Sequence, residues 1–167
     1  DESLTGAEIA NDSLSSADSL DESGLAARTT LHNPLLQLTN QASTIGEVRL
    51  RVPADGYVTV FATIRWNEAT GGHDVADCTF RLNGEAPETG RGFRLHDFGY
   101  SGNWNSTTTG HQTFKVSPSG NVRGPLINGH HFTVTCNELD GAVGIESVMV
   151  TAQYFPTWYS PSPAFTG

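Results

Sequence analysis

The stretch VPADGYVTVFATIRW at residues 52–66 decides the fold class. Its Pro53-Ala54-Asp55-Gly56 segment has the residues of a turn, because Pro presets φ and Gly accepts conformations closed to other residues. From Tyr57 onward the chain alternates. Val58, Val60, Ala62, Ile64 and Trp66 fall on one face, as in a strand with one side against a core. Upstream, EVRLRV at 47–52 alternates in the same way, with Val48, Leu50 and Val52 opposed to Glu47, Arg49 and Arg51. Downstream, ADCTFRLN at 76–83 aligns Cys78, Phe80 and Leu82, and Asn83-Gly84 is a hairpin signal. HHFTVTC at 130–136 aligns Phe132, Val134 and Cys136, and IESVMVTAQYF at 145–155 aligns Val148, Val150, Ala152 and Tyr154. Weaker strands are expected at 92–98 and 111–117. No segment carries a helical period. The pattern predicts an all-β domain: two antiparallel sheets packed face to face.

Composition agrees. Ser and Thr make up 33 of 167 residues, Gly and Pro another 26, and only 16% of the chain is charged. A polar, weakly charged, turn-rich chain suits a secreted or cell-surface β-protein. The formal charge of −9 excludes nucleic acid as the expected partner, since phosphate binding requires clustered Lys and Arg. Apolar runs are too short for a helix to cross a bilayer, so membrane insertion is not expected. No signal peptide is visible, because Asp1 opens an acidic stretch.

The acid is concentrated. Residues 1–25 hold Asp1, Glu2, Glu8, Asp12, Asp18, Asp21 and Glu22 and no Lys or Arg, so the remaining chain is nearly neutral. Cut in fives, this part reads ESLTG, AEIAN, DSLSS, ADSLD, ESGLA. It resembles pentapeptide repeats and the tandem SLTGADI-type repeats that precede domains of secreted bacterial proteins. So few repeats cannot bury their own apolar face, so the segment is expected to dock elsewhere.

VPADGYVTVFATIRW, the mid-chain Cys strand, NGHHFTVTC at 128–136 and VMVTAQYFP at 148–156 together resemble a secreted bacterial jelly roll of the C1q/TNF-like kind. The resemblance spans roughly residues 44–157. It implies an antiparallel jelly-roll β-sandwich, trimeric or higher assembly, and a structural or recognition role without catalysis. The loop 99–110 and the tail 157–167 depart from that pattern. The expected organisation is an acidic repeat arm at 1–28, an extended linker or donor-strand segment at 29–45, the sandwich at 46–156, and a Pro/aromatic tail at 157–167.

Cys78 and Cys136 each lie on the inward side of an expected strand. One disulfide between them fits an oxidising compartment, and two buried thiols are the competing reading. For metal, His130 and His131 point to opposite faces of a strand and cannot chelate together. Calcium is the candidate cofactor, with Asp55, Asp74, Asp77, Asp97 and Asp140 as first ligands to test. There is no nucleophile-elbow, zinc-protease or catalytic-cysteine motif, so no enzyme is expected. Trp66, Tyr100 and Trp104 are candidate glycan contacts, and packing of Trp66 in the core or sheet rim is the competing reading. The leading functional expectation is a structural subunit that self-associates into a trimer or filament by exchanging its arm. Leu4, Ile9, Leu14, Leu36 and Leu38 would anchor that arm. The alternative is a glycan- or surface-binding module at the end of a stalk.

Overall fold

A computed structural model describes residues 25–68, 74–87, 92–96, 105–120 and 129–156. Eight strands follow in chain order: β1 Leu25–Gln37, β2 Ser43–Leu50, β3 Gly56–Glu68, β4 Val75–Leu82, β5 Phe93–His96, β6 Asn105–Val116, β7 His130–Asp140 and β8 Val143–Pro156. They form two four-stranded sheets, β1-β8-β3-β6 and β2-β7-β4-β5. Every pairing is antiparallel.

The order has a simple logic. β4 pairs β5, β3 pairs β6, β2 pairs β7 and β1 pairs β8, so the chain is one long hairpin folded about the β4–β5 connection. Rolling that hairpin adds the joins β3·β8 and β4·β7 and lays its two halves over each other. This is a jelly roll. Among the described residues, no helix is long and apolar enough to cross a membrane.

The inward face of β3 is as the alternation predicts. Val58, Val60, Ala62 and Ile64 are fully buried, and Trp66 is 2% exposed. Opposite them β7 contributes Phe132, Val134 and Cys136, and β4 contributes Ala76, Cys78 and Phe80. At 82–85 the hairpin signal is realised. Leu82 and Glu85 exchange both backbone hydrogen bonds, and Asn83 and Gly84 sit at φ 53° and 92°. A tight two-residue hairpin needs those left-handed values, and Asn and Gly accept them most readily.

Two boundaries differ from expectation. Among the described residues the sandwich already includes Leu25 and does not begin near residue 46, because Leu25–Leu31 pair with Gln153–Ser147 of the same chain. The segment read as a linker or donor strand is therefore largely the first strand of its own sheet. β6 starts at Asn105, so half of the stretch read as the loop 99–110 is strand.

Candidate interaction faces

Alternation puts half of each strand on an outer face, and the two outer faces differ in chemistry. On the β1-β8-β3-β6 sheet the register brings apolar and hydroxyl side chains together. Tyr57 lies between Phe155 and Lys115, Thr59 between Gln153 and Thr113, Phe61 between Thr151 and His111, and Thr63 between Met149 and Thr109. Phe61 is 44% exposed, Met149 46% and Tyr57 40%, and Leu31 on β1 is also exposed. The Phe61 and His111 rings lie 5.9 Å apart, and the Thr59 and Thr113 hydroxyls hydrogen-bond at 3.0 Å. The charges on β3 and β6 stand toward the ends of this face, at Arg65 and Lys115, and Arg65 is paired with Glu146 at 3.5 Å. The centre carries aromatic, apolar and hydroxyl side chains, with His111 beside Phe61 and no Asp, Glu, Lys or Arg among the described residues there.

The β2-β7-β4-β5 sheet presents charge. Its rows hold Glu47, Thr133 and Arg81, then Arg49 and His131. Glu47 is held from two sides. His131 Nε2 donates to its Oε2 at 2.9 Å, and Arg28, reaching across from β1, donates to its Oε1. The hydrogen bond from His131 is the largest cause holding the Glu47 carboxyl below the usual carboxylate range; burial opposes it, and the charges of His131 and Arg28 add to it. Arg94 pairs with Asp77 at 2.7 Å. Arg81 donates from Nε to Thr135 and from Nη1 to the Gly84 carbonyl. Arg49 Nη1 is screened from solvent and meets no acceptor among the described residues.

The two cysteines form a disulfide. Cys78 and Cys136 face each other directly across β4 and β7, both fully buried, with Cα atoms 4.1 Å apart. Trp66 is not an available sugar platform: it is buried and its Nε1 donates to Thr108 Oγ1 at 3.0 Å. Tyr100 and Trp104 lie outside the described residues, as do Leu4, Ile9 and Leu14. Leu38 is 4% exposed in the core of its own chain, its N–H donating to the Val143 carbonyl, and Leu36 packs against that core. Neither is a free anchor in this arrangement, because β1 has carried both into their own sandwich.

The candidate calcium ligands do not converge. Asp74 and Asp140 meet at the β7–β8 turn, where buried Asp74 accepts from the Ala142 N–H at 2.6 Å and Asp140 accepts from the Gly141 N–H. Asp55 is in the β2–β3 turn at the other end of the sandwich, and Asp77 is on the outer face with Arg94. Asp97 lies outside the described residues. Among the described residues no three or more His, Cys, Asp or Glu group as metal ligands would. His130 and His131 do face opposite ways. His130 is buried, its Nε2 donating to the Ser117 carbonyl at 2.9 Å. An open cavity of about 360 Å³ lies between Leu82, Asn83, Glu85, Pro87 and Phe114.

The exposed rings of Tyr57, Phe61 and Phe155 are not among the candidate glycan contacts read from the sequence, Trp66, Tyr100 and Trp104. Their signal is an apolar residue on the side of an alternating strand that should be polar.

No protein-family model matches the chain, and no curated protein matches it. Among solved structures it is similar to dimeric latent PorU from Porphyromonas gingivalis, at 14% identity and TM-score 0.40 over 80% of this chain; it spans 13% of that protein. It is similar to the Eiger TNF of S. frugiperda, at 10% identity and TM-score 0.45, covering 84% of this chain and 96% of that one. It is also similar to the carbohydrate binding module CBM6cm-2 from Cellvibrio mixtus lichenase 5A, at 14% identity and TM-score 0.33, covering 74% and 95%. The assignment as a jelly roll rests on the strand order of the chain itself.

Proposed function

We propose that the chain is an extracellular, non-catalytic structural subunit whose copies associate through the outer face of the β1-β8-β3-β6 sheet into a trimer or a longer fibre. The observation that carries this reading is the contrast between the faces. One carries Glu47, Asp77 and several arginines; the other exposes Tyr57, Phe61, Met149 and Phe155 with almost no charge. Four strands and about nine residues of each give a patch of about 19 by 30 Å, or roughly 570 Å² per copy. Covering it on two copies removes about 1,100 Å² from water, near the lower bound of a specific interface. The buried disulfide fits an oxidising compartment. Exchange of the acidic N-terminal arm between copies would extend such an oligomer into a filament.

A second reading is supported by the same face. The Phe61–His111 ring pair, flanked by rows of threonine hydroxyls, has the stacking surface and hydrogen-bonding groups that a sugar ring requires. Phe61→Arg tests both. Sedimentation of the full chain beside its variant reads assembly, and a glycan array reads sugar binding. A multimer dispersed by the substitution supports the first reading. A monomer that loses glycan signal on substitution supports the second.

A further inference from the structure

The charged face has an excess of cations that its own carboxylates do not meet. Glu47 is occupied by Arg28 and His131, and Asp77 by Arg94. That leaves Arg49, Arg81 and exposed Arg51 on the β2 and β4 side without carboxylate partners among the described residues. Arg49 is the sharpest case. Its Nη1 is shielded from water and has no acceptor among the described residues, a costly state for a charged donor.

Residues 1–24 hold the complementary charge, seven acids and no base. They join the sandwich at Leu25, and the packing of β1 against β2 locates that junction. His32 hydrogen-bonds the Ile45 carbonyl and Arg28 reaches Glu47, so β1 and β2 run in opposite directions. The same progression brings Leu25 level with Arg49. By register, Arg49 is opposite His131 on β7, and Arg81 is opposite Thr133 on the far side of β7. Two strand spacings and two residues of rise separate the two arginines by about 12 Å. In an extended chain, residues four apart, such as Asp18 and Glu22, would lie on one side about 13 Å apart.

We infer that the acidic segment Asp18–Glu22 docks across the outer face of the β2-β7-β4-β5 sheet of its own chain, with Glu22 on Arg49 and Asp18 on Arg81. Guanidinium–carboxylate pairs are the contacts such a surface is shaped to make. An arm exchanged between copies must first leave this face. The docking therefore does not depend on the assembly reading, and its failure would leave that reading standing.

The test is glutamyl-endoprotease cleavage after Glu22 in the full-length protein, followed by intact mass. Cleavage of a docked segment tracks the fraction open, so Arg49→Gln with Arg81→Gln should accelerate it roughly tenfold, and added salt should do the same. Asp18→Asn alters no residue of the described strands and should also accelerate it, even if the arginine variant folds poorly. Arg65→Gln on the opposite sheet should leave the rate unchanged. Equal rates in the wild type and both charge variants would overturn the inference. So would protection that fades on dilution, because the arm would then belong to a neighbouring copy.

Discussion

Reduction of the Cys78–Cys136 bridge should remove about a third of the stability expected of a domain this size. The linked residues are 58 apart in sequence and face each other across the two inner strands of their sheet. Closing a loop of that length in the unfolded chain is worth about 4 kcal/mol in the chain-entropy model. Reduction retains both sulfur atoms in the core, so no cavity term enters, and the loss should be about 3–4 kcal/mol from a total of 5–15. Urea denaturation of the oxidised and reduced protein, followed by tryptophan fluorescence, provides the measurement. The midpoint should fall, and the m-value should rise as the freed loop exposes more surface on unfolding. A loss below about 1 kcal/mol with an unchanged m-value would mean that the bridge does not constrain the denatured chain.

Three further outcomes follow from single side chains. Gly110→Ala would drive a Cβ into the Phe93 ring, where β6 packs toward β5, and should destabilise by about 1–3 kcal/mol in thermal denaturation. Tyr154→Phe removes the hydroxyl that donates to the Ala54 carbonyl and closes the β2–β3 turn; the expected loss in urea is about 1 kcal/mol. Burial, the largest cause, pushes that hydroxyl above its usual range, so the wild-type phenol should resist alkaline titration followed by ultraviolet absorbance. Glu47 is held below the usual carboxylate range, so its contribution is present above that range and lost as the pH falls through its folded value. With Glu47 partly exposed, Glu47→Gln should cost only about 0.2–1 kcal/mol near neutrality and flatten the acid limb of a stability–pH curve.

Strands with an apolar inward side were legible, and strands with a polar one were not. β3 could be read directly because its inward positions run Val58, Val60, Ala62, Ile64, Trp66. β1 is just as long, 13 residues, yet its inward positions are Ala26, Arg28 and Thr30, set opposite Ala152, Val150 and Val148. As an edge strand at the open side of the sandwich, it lets Arg28 leave the core and reach Glu47, so no hydrophobic period marks it. β6 is hidden in the same way. Its inward Ser106, Thr108 and Gly110 face Trp66, Ile64 and Ala62, and only Phe114 and Val116 look like core. Trp66 stands near the end of its strand, and its burial depends on Thr108, 42 positions away, accepting its indole N–H. Which of the candidate calcium ligands meet depends on the end of the sandwich each turn occupies: Asp74 and Asp140 share the β7–β8 end, and Asp55 lies at the other. The apolar outer face, by contrast, was encoded at Tyr57, Phe61 and Phe155 and needed only the register to join them.

Assembly as proposed would cover the outer face of the β1-β8-β3-β6 sheet with another copy of the chain. Sedimentation velocity of the full-length protein across a dilution series, beside Phe61→Arg, measures this directly. The expected result is a discrete multimer that the substitution converts to a monomer with unchanged far-ultraviolet circular dichroism. A wild-type monomer at every concentration, or a multimer indifferent to Phe61→Arg, would contradict it.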